Sequence, residues 1–503
     1  MKVVLAGYNV DREALDEVRR SAPNRLDLTP ETLSAAYARI SRDPRPVDEL
    51  RRAARAEVEK ARRSNRNIIF KMGHHSVAEH AVFNFDICGV SRLAIEEIEK
   101  FRLCSFTEKS QRYIKLGNDF VVPEEIVRAG KRRLFDETVR AQNALYHALY
   151  ARLRPHVFAA HPEAAGDPAR QAVLDGWAKE DARYAVSLAT EGQLGLTINA
   201  RNLELMIRRF AAHPSAEIAA LNRRLAEEAR RVAPSLILFT AATPFDAETA
   251  AAFRAAAGRE IGGGRKRIAK ARGRTAEPDV RVFEATPDGD DRILSAVLHA
   301  SGTRSFDRCR ADVRKFSVRR KRALFLALFE RMEFYDVPPR EFEHARLTFE
   351  LIVSASCFAQ LKRHRMATVT VQEYDPSLGA TVPPSVEAAG EAAAFRELIA
   401  RTGMAYAVLK EAAGPAAAYV LTNAHRRRVL LSVNLRELYH ISRLREDASA
   451  QWDIRRIAAE MSRLARARLP LSGMFLCGKD AYPARYESVF GHPPKIAPPA
   501  TAQ

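Results

Sequence analysis

At 503 residues the chain is too long for one ordinary domain. Its 47% apolar content supports a sizeable core, and five scattered cysteines with no C-x-x-C pair exclude a disulfide framework or zinc ribbon and fit a reducing compartment. A formal charge of +19 directs attention to anionic partners: nucleic acid, an acidic membrane surface or a small phosphorylated ligand.

The opening MKVVLAGYNVDREAL has an apolar run too short for a signal-peptide core, and no later stretch reaches the length of a membrane span, so a cytoplasmic protein is expected. TLSAAYARIS, ending at Ser41, and the basic run RRAARAEVEKARR follow, the latter with charges at the spacing of a solvated helix face. His74, His75, Glu79 and His80 do not reproduce the helical H-E-x-x-H or H-x-x-E-H spacing, and no metal is expected there. AVFNFDI alternates apolar and polar residues as a strand does. In SFTEKSQRY, an extended backbone would put Glu108, Ser110 and Arg112 on one side. A carboxylate, a hydroxyl and a guanidinium so placed suit a nucleotide, whereas the simpler alternative is an exposed polar edge. TINARNLELMIRRF then opens a helix, with Asn199 suited to cap it.

Residues 256–280 combine glycines, positive charge and a proline without periodicity, and read as a basic linker whose block Arg265 to Arg274 is an alternative nucleic-acid contact. Beyond it the pattern repeats. ILSAVLHAS ends at Ser301, Glu343-His344 echoes Glu79-His80, and ARLTFELIV echoes the first strand. A helix ending in Arg363-His364-Arg365 follows, and VNLRELYHISRLR echoes the Asn199 helix, with Asn434 and Arg436 matching Asn199 and Arg201. Three echoes in one order point to a duplication: a first copy over 1–255 and a second over 281–485, each α+β. In the second copy Arg436, His440 and Arg443 fall at helical spacing and form a candidate basic face. DIRRIAAEMSRLARARL reads as an amphipathic helix, and the Pro- and Ala-rich stretch 486–503 as a disordered tail. No G-x-G-x-x-G after a strand, no P-loop and no Ser–His–Asp arrangement occurs.

The order of Gly73-His74-His75-Ser76, Glu79-His80, SFTEKSQRY, RHR and the late Asn-x-Arg helix resembles the flavin-dependent thymidylate synthases. That resemblance implies two copies of an antiparallel-sheet core flanked by long helices. It also implies conversion of dUMP to dTMP, with FAD, NADPH and methylenetetrahydrofolate, and no protein nucleophile. Carried over, it implies flavin contacts at Ser41, His74, Ser76, Asn199, Arg201, Arg363, His364, Arg365, Asn434 and Arg436. It implies dUMP contacts at Glu108, Ser110, Arg112, Arg183, Arg209, Gln360, Arg363 and Arg445. The residues nearest the chemistry would be Glu108, Ser110, Arg183 and the RHR triplet.

Neither copy holds the whole set. The first has Lys100-Phe101-Arg102 in place of RHR; the second has MATVTVQEY in place of SFTEKSQRY, Pro338 in place of the first histidine, and Ala418 in place of Arg183. Because family members are homotetramers with shared sites, the resemblance implies composite sites in a homodimer acting as a pseudo-tetramer. The alternatives are a degenerate relative that binds nucleotide or flavin without methylating, and a basic nucleic-acid-binding protein.

Overall fold

The computed structural model describes residues 1–20, 28–260 and 277–498. Each copy builds one four-stranded antiparallel sheet. The first consists of β1 (Lys2–Tyr8), β2 (Val82–Ser91), β3 (Cys104–Glu108) and β4 (Glu191–Asn199), in the order β1-β2-β4-β3. The second consists of β5 (Val280–Ala285), β6 (Arg346–Ser354), β7 (Thr368–Val371) and β8 (Arg426–Asn434), in the order β5-β6-β8-β7. The α+β duplication expected from sequence is what the fold contains.

Alternation explains the strands. Phe83, Phe85 and Ile87 of β2 are buried while Asn84 and Asp86 face solvent, and Leu347, Phe349 and Leu351 repeat the pattern in β6. Both strands end on a serine that caps the next helix. Ser91 accepts from the Ala94 amide and Ser354 from the Cys357 amide, which starts the helices Arg92–Ile98 and Ala355–Leu361. All seven residues of Ala355–Leu361 are buried, because this helix lies where the copies meet.

The copies are related by a local two-fold, visible in paired backbone bonds. Ala189 N donates to Tyr419 O at 3.0 Å and Ala424 N to Tyr184 O at 3.1 Å; Leu188 N donates to Leu421 O and Asn423 N to Val186 O. Ser187 bridges Thr422 at the centre. Around this seam the long helices Arg132–Ala160 and Ala392–Ala413 pack together, and Gln142 Nε2 of one donates to Thr402 Oγ1 of the other at 3.0 Å. Tyr146, Leu149 and Leu153 share an apolar cluster with Val386, Phe395 and Leu398, so the seam is a true core.

Three sequence expectations need adjusting. β3 stops at Glu108, and Ser110 to Tyr113 form a turn in which the Arg112 amide donates to Ser110 Oγ at 3.1 Å. The residues therefore converge by a turn rather than by strand alternation. The expected tail at 486–503 begins too early, since Tyr482–Phe490 is a helix whose buried Tyr482 and Tyr486 pack, tilted, against Phe475. Arg443 is not part of a basic face; it is buried, donates to Cys477 O and lies over the Tyr482 ring. The block Arg265 to Arg274 lies outside the described residues. The described ends of the expected linker close the helix Ala250–Glu260 and lead into β5.

Candidate functional site

At the seam, a cavity of about 200 Å3 is lined by Glu108, Ser110, Arg112 and Arg183 from the first copy and by Gln360, Arg363 and Arg445 from the second. The end of β3 and the turn after it deliver Glu108, Ser110 and Arg112, and the short helix Arg183–Ala185 delivers Arg183. The buried helix Ala355–Leu361 and the end of the helix Leu435–Arg445 deliver the second group. Six cationic side chains line this cavity against two carboxylates: Arg92, Lys109, Arg112, Arg183, Arg363 and Arg445 face Glu108 and Glu191.

The cations are held in place and also work against one another. Arg112 Nε donates to Glu180 Oε2 at 2.6 Å, and Arg363 Nη2 to Glu108 Oε1 at 3.0 Å. Burial works against ionisation of Glu108, but Lys362, Arg92 and Arg363 outweigh it and hold its carboxyl below the usual value. Burial, then the like charges of Arg112 and Arg363, push Arg445 down to about 10. Burial likewise lowers Arg183. Buried guanidiniums that repel one another create an electrostatic demand for an anion. Arg92 Nε, Arg183 Nη2 and Gln360 Oε1 are buried without a hydrogen-bond partner in the chain, which matches that demand.

The RHR triplet divides between two places. Arg363 serves the cavity, its guanidinium over the Phe106 ring at 4.8 Å. His364 and Arg365 line a separate space of about 380 Å3, shared with Lys100, Arg102, Lys362 and Arg254. His364 is buried, accepts from Arg445 Nε at its Nε2 at 3.0 Å and packs against His440. Burial, then Arg445 and His440, hold its pKa well below the ordinary value, so it is a neutral ring. Arg365 Nη1 donates to the carbonyls of Arg102 and Cys104, across the seam.

The remaining expected contacts lie elsewhere. Ser41, His74 and Ser76 are exposed on the first copy, where Arg42 Nη2 lies 3.4 Å from His74 Nε2 and Arg201 Nη1 donates to Glu79 Oε1 at 2.5 Å. Asn199 caps its helix by accepting from Asn202 N at 3.0 Å, and Asn434 does the same for Glu437 N at 2.8 Å. Arg436 Nε donates to Pro338 O at 2.8 Å on the second copy. None of these shares a hydrogen bond or ion pair with the RHR side chains. Arg209 is exposed, faces Phe101 with 6.0 Å to the ring centroid, and does not line the cavity; Phe101, without a ring nitrogen, offers it no acceptor. Sequence reading missed Arg92, which begins a helix and carries no motif of its own; only its burial beside the cavity marks it. Among the described residues no group of three or more His, Cys, Asp or Glu could hold a metal, and no helix is long and apolar enough to cross a membrane.

The family described as thymidylate synthase complementing protein matches residues 26–235 and 281–471, one match on each sheet. The chain belongs to this family. Relatives named flavin-dependent thymidylate synthase include one from Clostridium tetani, 28% identical over 42% of this chain and 82% of the relative. Another, from Geobacter sulfurreducens, is 32% identical over 41% of this chain and 80% of the relative. The one from Haloarcula marismortui is 30% identical over 37% of this chain and 90% of the relative. Each match uses less than half of this chain and most of the relative, as expected of a family member carrying two copies.

Proposed function

We propose that the chain binds dUMP in the seam cavity and converts it to dTMP as a flavin-dependent thymidylate synthase. The observation that carries this reading is the meeting of Glu108, Ser110, Arg112 and Arg183 with Gln360, Arg363 and Arg445 around one space. The losses in the two copies are partly complementary, and side chains from both line this one cavity. Arg112, Arg183 and Arg445 suit a phosphate dianion, while Ser110, Gln360 and the Glu108 carboxylate suit sugar and base. Arg363, bonded to Glu108, orients that carboxylate.

The residues also fit a flavin in kind. His364 offers a buried imidazole whose Nδ1 lies 3.5 Å from Glu437 Oε1, beside the cationic Arg365, Lys100 and Arg102. Arg201, exposed on the first copy, and Arg436, half-buried on the second, suit its phosphates. When bound, FAD supplies the redox chemistry, with NADPH as reductant and methylenetetrahydrofolate as carbon donor. Within one chain Ser41, His74, Ser76, Asn199 and Arg201 share no hydrogen bond or ion pair with RHR, which favours a homodimer acting as a pseudo-tetramer. A cytoplasmic location accords with this metabolism.

The test is the visible spectrum of purified protein with added FAD, before and after dUMP, followed by tritium release from dUMP labelled at C5. A flavin spectrum that shifts with dUMP, together with tritium release, is the expected result. Flavin binding without tritium release would leave a relative that binds flavin or nucleotide without methylating. No spectral change at all would overturn the reading.

A further inference from the structure

The local two-fold creates a second position equivalent to the seam cavity, and there the chain's own side chains fill the space. The register fixes the equivalence. Gly192 of β4 lies opposite Val90 and Arg427 of β8 opposite Val353, one step before the capping serines Ser91 and Ser354. Glu96 and Ala359 stand at the same step beyond those serines. Glu108 faces Leu194 as Val371 faces Val429, which pairs Gln111 with Tyr374 along the following turns.

In the open cavity these three positions are Gly192, Ala359 and Gln111, and a Cβ on Gly192 would stand 2.7 Å from Ile95 Cδ1. In the equivalent position they are Arg427, Glu96 and Tyr374, at 6%, 4% and 4% exposure. The Arg427 guanidinium pairs with the Glu96 carboxylate, Tyr374 Oη donates to Glu96 Oε2 at 2.9 Å, and Arg427 Nε and Nη2 donate to Gln372 O at 2.8 and 2.6 Å. The same guanidinium lies between two rings, 4.2 Å from the centroid of Tyr374 and 4.9 Å from that of Phe358. A cation, its carboxylate and a capping phenol form a closed set that leaves no charge for a ligand to satisfy.

The surroundings have also changed sign. Where the open cavity offers Ser110, Arg112 and Arg183, the equivalent residues are Glu373, Asp375 and Ala418, and Gln360 is replaced by Glu97. The neighbouring space of about 380 Å3 touches Glu96 and Val371, but Glu373, Asp375 and Ala418 do not line it.

We propose that this second position is a permanently closed counterpart of the site, filled by Arg427, Glu96 and Tyr374, so that each chain takes up one nucleotide rather than two. The count rests on the reading of the seam cavity as a dUMP site, whereas the closure rests on the side chains alone.

The test combines equilibrium dialysis of the full chain against labelled dUMP with thermal unfolding. Wild-type protein should bind one dUMP per chain. Arg183→Ala should abolish that binding, and the Glu96→Ala/Arg427→Gly double variant should retain it. Two dUMP per chain, or binding lost in the double variant and kept in Arg183→Ala, would overturn the proposal. No binding to wild-type protein would overturn the nucleotide reading and the count with it, and thermal unfolding would then decide the closure. Arg427→Gly alone strands a buried carboxylate and should lower Tm by about 3–5 °C. In the double variant the loss should be smaller than the sum of the two single losses. Strictly additive losses would mean that the three side chains do not act as one filling unit.

Discussion

Asp181 is a carboxylate that the fold has trapped at the seam, 7% exposed, accepting from Ser385 Oγ at 2.5 Å and Trp452 Nε1 at 2.7 Å. Burial outweighs both donors and, with Glu180 adding to it and Arg183 opposing, pushes the carboxyl up to about 7. A folded value above the unfolded one means that its stabilising contribution is complete below the unfolded pKa and is lost as pH rises toward 7. His425, buried near the same seam, is pushed down to about 4, so its contribution is lost as pH falls from its ordinary value toward 4. Over the window between, the two slopes oppose, each at most about 1.4 kcal/mol per pH unit. Asp181→Asn should remove the falling slope and leave stability rising with pH across this range. Urea unfolding at a series of pH values measures it, and a profile parallel to wild type would count against the assignment of Asp181. Nothing in the sequence announces this residue, because Ser385 and Trp452 lie 204 and 271 positions away. Glu108, Ser110 and Arg363 stand in motifs and Arg183 was reached only through the family resemblance, whereas Arg92 takes its meaning from burial alone.

At the scale of elements, the strands and caps were written locally. Alternation sets β2 and β6, and the asparagines at 199 and 434 stand where a helix needs an acceptor for its first amides. Their expected flavin role is separable from capping. Asn199→Ala and Asn434→Ala should each cost about 1 kcal/mol of stability through the lost cap. Neither lines the seam cavity, so dUMP affinity should stay within twofold of wild type. Denaturant unfolding with equilibrium dialysis reads both, and a tenfold loss of dUMP affinity would place these caps closer to the nucleotide than the fold does. What local pattern could not give was the turn after β3. Ser110 and Arg112 reach the cavity because the chain leaves the ladder after Lys109 N donates to Gln193 O at 2.9 Å, and neither alternation nor spacing encodes that departure.

The docking of one copy on the other was the part least visible in sequence, since it depends on contacts across the whole chain. It is also what brings residues of both copies around the candidate cavity. Glu99 and Lys362 occupy equivalent positions in the two copies, and each is nearly inaccessible to solvent; across the seam Lys362 Nζ lies 2.6 Å from Glu99 Oε2. Pairing two first copies would set Glu99 against Glu99, and pairing two second copies would set Lys362 against Lys362. Like charges desolvated at such range are costly, so this position selects pairing of unlike copies. Glu99→Lys should therefore weaken the seam by about 3–5 kcal/mol, the usual consequence of breaking a buried pair. The reciprocal swap Glu99→Lys/Lys362→Glu should recover part of it, because Arg363 Nη1, 3.2 Å from Glu99 Oε1, would then face a lysine. The readout is co-expression of residues 1–260 and 277–503 as separate polypeptides, one of them tagged. Wild-type halves should copurify one to one through their shared apolar clusters. Glu99→Lys should reduce the yield of the untagged half, and the double swap should restore part of it. Equal yields from all three pairs would mean that apolar packing alone specifies the seam.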